Sequence, residues 1–161
     1  MSASEIIDTG IPLASIGRIS IAGPLALEVT WIEGERSGRT EIVDLSPAIG
    51  SYKIYRHLRD NHEAFATARL GEDGDVIEWP QTGLDMSADM VESLAKEAMS
   101  CEDFAAFLRR NNLTQEAAAA LLGRSRRQIG YYLNPGPVPR VVVLACIGYE
   151  ALAARRKTEA A

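Results

Sequence analysis

The sequence predicts an α+β chain: a small antiparallel sheet with one helix over residues 1–87, then an all-helical bundle over residues 88–161. Three observations carry this. Leu25, Leu27, Val29 and Trp31 alternate with Ala26, Glu28 and Thr30, the period of a half-buried strand. Residues 113–133 read as two short helices around a glycine turn. Charge also divides the chain, near residue 100. Residues 1–100 hold 17 acidic and 8 basic side chains, a balance of −9, and residues 101–161 hold 5 and 9, a balance of +4. The net charge of −5 therefore hides a C-terminal part with the electrostatic footprint of a nucleic-acid-binding module.

Taken in order, residues 1–15 carry weak signals and are expected to be partly mobile. Gly17 to Ala22 is a short strand with Ile19 and Ile21 on one face, punctuated by Gly23-Pro24. The strand Leu25 to Ile32 and a third from Arg39 to Leu45, with Val43 and Leu45 inward, pair as a hairpin across a polar loop. Ser46-Pro47 ends the third strand. Ser51 to Asn61 reads as a helix with Ile54, Tyr55 and Leu58 on one side, and Glu63 to Leu70 as a fourth strand. Asp73-Gly74 suits a type I′ hairpin turn into a fifth strand, Val76 to Trp79, which Pro80 stops.

Ser87 or Asp89 caps the next helix, in which Met90, Val91, Leu94, Ala95, Ala98 and Met99 recur at helical spacing. That stripe fits core packing between the two halves, or a dimer seam. Ser100 and Asp103 have capping-box spacing, so a new helix starts at Cys101 and buries Phe104, Phe107 and Leu108. Past the helix pair, Pro137-Val138-Pro139 opens a last helix, with Pro139 in its first turn. Val141, Leu144, Ala145, Gly148 and Leu152 are expected to close the bundle. Arg155-Arg156-Lys157 is a basic tail, read as a solvated end or a groove-reaching arm.

A composition of 47% hydrophobic and 24% charged residues is that of an ordinary globular protein. No N-terminal signal peptide and no membrane span are expected, because Pro12, Arg18 and glycines interrupt the first apolar stretch and no run approaches ~20 apolar residues. The expected location is cytoplasmic, with Cys101 and Cys146 as reduced thiols. His57 and His62, five apart on one helix, would point roughly 140° from each other and could not share a metal. Glu72, Asp73 and Asp75 lack the other ligands of a calcium loop. Asp44, Glu78 and Asp85 have strand-end and cap roles open to them. With no phosphate-cradling glycine loop and no nucleophile beside a base, the chain is expected to be no enzyme, with no catalytic residue, metal or cofactor.

The informative stretch is LTQEAAAALLGRSRRQIGYYL, Leu113 to Leu133. Its first helix runs from Gln115 to Leu122, Gly123 supplies a positive-φ turn, and Ser125 caps a second helix over Arg126 to Leu133. Ala118, Ala119 and Leu122 share one face of the first helix, and Ile129, Tyr132 and Leu133 one face of the second. Arg126, Arg127, Gln128 and Tyr131 lie outward near the start of the second helix. Arginine can bond guanine O6 and N7 together, and glutamine can pair both ways with adenine.

Through Thr114-Gln115-Glu116, Ala119, Leu122-Gly123, Ser125, Ile129 and Tyr132, this stretch resembles the lambda-repressor-like helix-turn-helix family of Cro and phage repressors. The resemblance implies that Gln115 touches phosphate and that Arg126, Arg127, Gln128 and Tyr131 contact bases or backbone. Two departures stand out. Arg124 occupies a usually apolar position, which suggests an extra backbone contact, and Asn134-Pro135-Gly136-Pro137 replaces the family's usual Glu-x-Gly ending.

Upstream, the Leu25–Trp31 strand, Val43-Asp44-Leu45, Phe65-Ala66, Val76-Ile77-Glu78-Trp79-Pro80 and Gly83-Leu84-Asp85-Met86 resemble, in order and spacing, bacterial domain of unknown function twenty-four forty-two. That resemblance implies a regulator or antitoxin-like role and no catalytic residue.

The expected function is therefore a sequence-specific regulator on double-stranded DNA, with helix 126–133 in the major groove. Thr114, Gln115, Arg124, Ser125 and Arg140 would position the backbone. One module reads few base pairs, so a homodimer on a palindromic site is expected, with residues 1–87 serving dimerisation, partner binding or sensing. The alternative is a protein-interaction module, in which the sheet domain binds a partner or toxin and the bundle is scaffold.

Overall fold

A computed structural model describes Gly10 and residues 12–160. The chain is α+β and divides into two compact units, residues 1–95 and 96–161. The expectation for residues 1–15 falls mostly outside the described residues. Within that segment, Ala14 is buried and its N–H donates to Asp89 Oδ1 at 3.1 Å.

The first unit begins with an antiparallel meander of β1 (Ser15–Gly23), β2 (Ala26–Glu33) and β3 (Thr40–Asp44). Its register sets Leu27 opposite Ile21 and Val43, and Val29 opposite Ile19 and Glu41. The alternation read in residues 25–32 is real: Leu27, Val29 and Trp31 are buried, as are Val43 and Leu45. Each buried indole finds a partner, which burial requires. Trp31 Nε1 donates to Glu41 Oε1 at 2.9 Å, and Trp79 Nε1 donates to the Phe65 carbonyl at 3.0 Å.

The middle of this unit departs from expectation. In place of one helix from Ser51 to Asn61 there are α1 (Ser46–Ser51), a 3₁₀ turn (Lys53–Tyr55) and α2 (Arg56–Arg59). Pro47 in the first turn starts a helix at once, and Tyr52, extended at φ −96°, breaks it. Arg59 ties the pieces together, its Nε donating to the Ile49 carbonyl at 2.7 Å and its Nη2 to the Tyr52 carbonyl at 3.1 Å. Tyr55 and Leu58 are buried, but Ile54 is exposed. The expected strand Glu63–Leu70 is instead α3 (His62–Phe65) followed by a two-residue β4 (Arg69–Leu70). Asn61 causes this, because its Oδ1 accepts the Ala64 N–H at 3.0 Å and sets a helical turn. His57 and His62 consequently sit on separate helices.

β4 joins β5 (Val76–Trp79) and β6 (Leu84–Ser87) in a second antiparallel meander. Two small sheets thus replace the single sheet expected, and β6 is an element that sequence reading passed over. The β4–β5 turn is not type I′. Among the described residues only Asn112 has positive φ without being glycine, so Asp73 is not left-handed. Gly74, at φ +72°, instead closes a four-residue turn through its N–H to the Gly71 carbonyl at 3.1 Å. The Gly74 carbonyl then accepts the Ile16 N–H at 2.8 Å.

Helix α4 (Ala88–Lys96), capped by Ser87 Oγ on the Met90 N–H, buries Ala88, Val91 and Ala95 in the core of this unit. The boundary drawn at 87/88 therefore moves to 95/96. The stripe read across residues 90–99 is also divided: Val91 and Ala95 join the first core, and Met99 packs on the second. Asp44 has a strand-end role, its Oδ1 accepting the Ser46 N–H at 2.9 Å.

The second unit holds α5 (Cys101–Arg110), α6 (Gln115–Leu122), α7 (Arg126–Tyr132) and α8 (Arg140–Glu159). Ser100 and Asp103 form the expected capping box, and Phe104, Phe107 and Leu108 are buried. Pro139 precedes α8 as its cap residue instead of lying within its first turn. The buried phase of α8 is not the expected one. Val142, Val143 and Cys146 face the core, while Val141, Leu144, Ala145, Gly148 and Leu152 are exposed. Valines at 141, 142 and 143 make both faces apolar, so periodicity alone could not select the phase. Both cysteines are free thiols, and burial pushes Cys146 up to about 11. No described helix is long and apolar enough to cross a membrane.

Gly74→Ala should destabilise the first unit more than Gly83→Ala. Both glycines have positive φ, but a Cβ at Gly74 would meet the Ile16 carbonyl oxygen at 2.3 Å, whereas one at Gly83 meets nothing within 4 Å. Gly83→Ala should cost only the left-handed backbone term, about 1–2 kcal/mol. Equal shifts in urea midpoint would contradict this.

Candidate nucleic-acid interface

The site is built on α6 and α7, and local chemistry fixes both ends of each. Thr114 Oγ1 accepts the Ala117 N–H at 3.1 Å and starts α6. Gly123, at φ 61° and ψ 38°, ends it with an N–H bond to the Ala119 carbonyl. The left-handed conformation is open to glycine without a Cβ clash. Ser125 then caps α7, its Oγ accepting the Gln128 N–H at 3.1 Å. The bounds of α6 are those read from sequence, and α7 ends one residue earlier than expected.

The pair is seated from beneath. Ala118 and Ile129 are fully buried, and Ala119, Leu122, Tyr132 and Leu133 pack around them. Phe104 of α5 meets Tyr132 edge-on, with centroids 5.6 Å apart and planes at 88°, and Phe107 meets Tyr149 of α8 at 6.1 Å and 81°. Arg110 clasps Glu150 across the bundle with two bonds of 2.9 and 2.5 Å. These contacts hold α7 by its inner face and leave Arg126, Arg127, Gln128 and Tyr131 exposed.

The four outward side chains are not equivalent. Arg126 Nε lies 3.0 Å from Glu116 Oε1 of α6. Arg127 Nε donates to Tyr131 Oη at 2.8 Å, with its guanidinium carbon 5.6 Å from the ring centroid. The Arg126–Glu116 contact is an ion pair without a hydrogen bond, and neither arginine makes an Nη hydrogen bond among the described residues. Gln128 is engaged differently: its Oε1 accepts the Ser125 N–H at 3.0 Å and completes a second capping box. The two-way pairing with adenine expected of Gln128 would require this oxygen to accept through its second lone pair or to leave the cap. The Ser-x-x-Gln spacing of residues 125–128 carried that signal.

The expected backbone contacts are spread over the unit. Thr114 and Ser125 are exposed caps, Gln115 and Arg124 are half-buried, and Arg140 at the start of α8 is ion-paired with Glu97. Asn134, in the segment that departs from the phage-repressor pattern, donates from Nδ2 to the Gly130 carbonyl at 2.9 Å and so terminates α7. Glu116 enters the sequence reading only through the Thr114-Gln115-Glu116 likeness, with no role of its own. Its signal was there: from Phe104 to Lys157 the acids are Glu116 and Glu150 alone.

No family model and no curated protein matches this chain. Among solved structures, it is similar to a protein of Nitrosomonas europaea described as a "Putative DNA Binding Protein", with 31% identity over 86% of this chain and 88% of that one. The two superpose with a TM-score of 0.43.

Two outcomes are expected in the second unit. Ser125→Ala should cost about 1 kcal/mol in chemical denaturation, since one α7 amide loses its acceptor. The Arg110 guanidinium holds the Glu150 carboxyl below the usual value of 4.5. The pair's contribution is then full above 4.5 and lost as pH falls through the lower folded value. Arg110→Ala should lower the urea midpoint at neutral pH, with the gap closing as the solution is acidified below 4.5. A gap independent of pH would show that the pair does not stabilise the fold through charge.

Proposed function

We propose that this chain, which belongs to the family of the Nitrosomonas europaea protein, is a sequence-specific DNA-binding transcription regulator. The observation that carries the reading is the pair of exposed arginines at the start of α7. Arg126 is ion-paired with Glu116 and Arg127 donates from Nε to Tyr131, neither makes an Nη hydrogen bond among the described residues, and both stand behind a turn fixed by Gly123 and Ser125. An open Nη pair is the group that can bond guanine O6 and N7 together. In a helix-turn-helix the start of the second helix meets base edges in the major groove. The charge of +4 over residues 101–161 supplies the attraction for phosphate.

In this reading Arg126 and Arg127 contact bases. Tyr131 orients Arg127, and Gln128 caps the helix while offering its amide NH2 group. Thr114, Gln115, Arg124, Ser125 and Arg140 line the backbone, with Arg140 exchanging Glu97 for phosphate. The likeness of Leu113–Leu133 to the phage-repressor helix-turn-helix supplies this docking geometry. The protein acts in the cytoplasm, without a catalytic reaction or cofactor, as a homodimer whose half-sites lie about one helical turn apart. Exposed Val141, Leu144 and Leu152 on α8 supply apolar area for such pairing. The likeness of the first unit to the domain of unknown function suggests an antitoxin-like setting.

A second reading draws on Ile32, Ile42, Tyr52 and Ile54, all exposed on the sheet unit. These would let that unit bind a partner protein, with the bundle as scaffold. Salt separates the two. DNA binding should weaken by roughly one log unit per log salt for each phosphate contact, whereas an apolar protein interface should respond little.

The test is an electrophoretic mobility shift at ~150 mM salt, a concentration that suppresses loose electrostatic binding, using the DNA upstream of the gene against scrambled DNA. Selective retention is expected, and Arg126→Ala should weaken it by on the order of 1–3 kcal/mol while relaxing preference at one base pair. Equal weakening on every sequence would remove Arg126 from the base-reading role.

A further inference from the structure

Resting on that reading, we propose that Glu116 is a positioning residue for base recognition: it holds Arg126 by Nε so that the two Nη groups face the DNA. The contact joins the first turn of α6 to the first residue of α7, at 3.0 Å between Arg126 Nε and Glu116 Oε1. Both side chains are largely exposed, at 69% for Arg126 and 62% for Glu116. An exposed pair of this kind adds little to stability. The acid is also unfavourable for affinity, since a carboxylate beside a phosphate backbone repels it.

Its placement makes sense in the geometry of the arginine. A guanidinium can meet an acceptor pair through its Nε edge or through its Nη edge. With the Glu116 carboxylate ion-paired beside Nε, the Nη edge is the one left to meet an acceptor pair, and the freedom of a long side chain is reduced before DNA arrives. The other acid of this segment, Glu150, has a different task, since it clasps Arg110 across the bundle. The carboxylate also repels a phosphate that approaches Arg126, whereas an uncharged guanine meets no such repulsion. Glu116 thereby trades affinity for selectivity.

The experiment uses the full chain with Glu116→Ala, Glu116→Gln, Arg126→Ala and the double variant Glu116→Ala/Arg126→Ala. Circular dichroism first confirms that helicity is unchanged. Sequences selected from a randomised duplex pool by each variant are compared, and affinities for the preferred and a scrambled duplex are measured by fluorescence anisotropy. The expected result is that Glu116→Ala loses preference at the Arg126 base pair by about fivefold or more and binds scrambled DNA more tightly. Glu116→Gln, which keeps an acceptor for Nε, should retain much of the preference. The double variant should be no less selective than Arg126→Ala alone. An unchanged preference in Glu116→Ala, equal weakening on all duplexes, or a Gln variant no better than Ala would overturn the role of Glu116. If the parent protein selects no sequence, the DNA-reading proposal fails and this inference with it. A parent consensus indifferent to Glu116 removes this inference alone.

Discussion

The left-handed turn at Gly123 is the constraint on which the candidate interface depends. It lets α6 stop and α7 restart within three residues, with Gly123 at φ 61° and Ser125 back in the extended region at φ −73°, ψ 154°. With both helix ends satisfied by Thr114 and Ser125, the only freedom left is how closely the two helices approach. Ala118 and Ile129, both fully buried, are small enough on one side and bulky enough on the other to settle that. Everything on the outer surface follows, including the approach of Glu116 to Arg126 and of Arg127 to Tyr131.

The first unit obeys a different rule. Its sheets are small, and their inner faces are closed by two tryptophans whose indole N–H groups are both satisfied, one by a carboxylate and one by a main-chain carbonyl. Tyr55 adds a third such anchor, donating to the Asp85 carbonyl at 2.8 Å. These polar tips tie short, irregular segments to a core that the sheets alone are too short to enclose. The unit carries the acidic excess of the chain, so a DNA-facing role falls on the other unit by charge as well as by shape.

What was legible in the sequence was local. Helix ends set by Ser100, Gly123 and Ser125 were readable because a cap depends on residues within one turn. The alternation in β2 was readable because one face is wholly buried. Residues 46–70 were not, since Pro47 and Asn61 nucleate short turns within a stretch whose apolar residues also suit a longer helix and a strand. β6 has four residues and is defined by its pairing with β5 instead of by a pattern of its own. The phase of α8 was hidden by apolar residues on both of its faces. At the site, the outward arginines were found from spacing, but their partners were not. The ties of Glu116 to Arg126 and of Gln128 to Ser125 depend on where the two helix starts come to lie.

The central claim is that the outer face of α6 and α7 is the surface that meets DNA. Its most direct test is a titration of ¹⁵N-labelled full-length protein with the DNA upstream of the gene, followed by amide chemical-shift changes. The account predicts that the largest changes fall on residues 114–116 and 124–131, with the sheet strands nearly silent. Changes concentrated on β1 to β6 instead, or spread evenly over the chain, would contradict it.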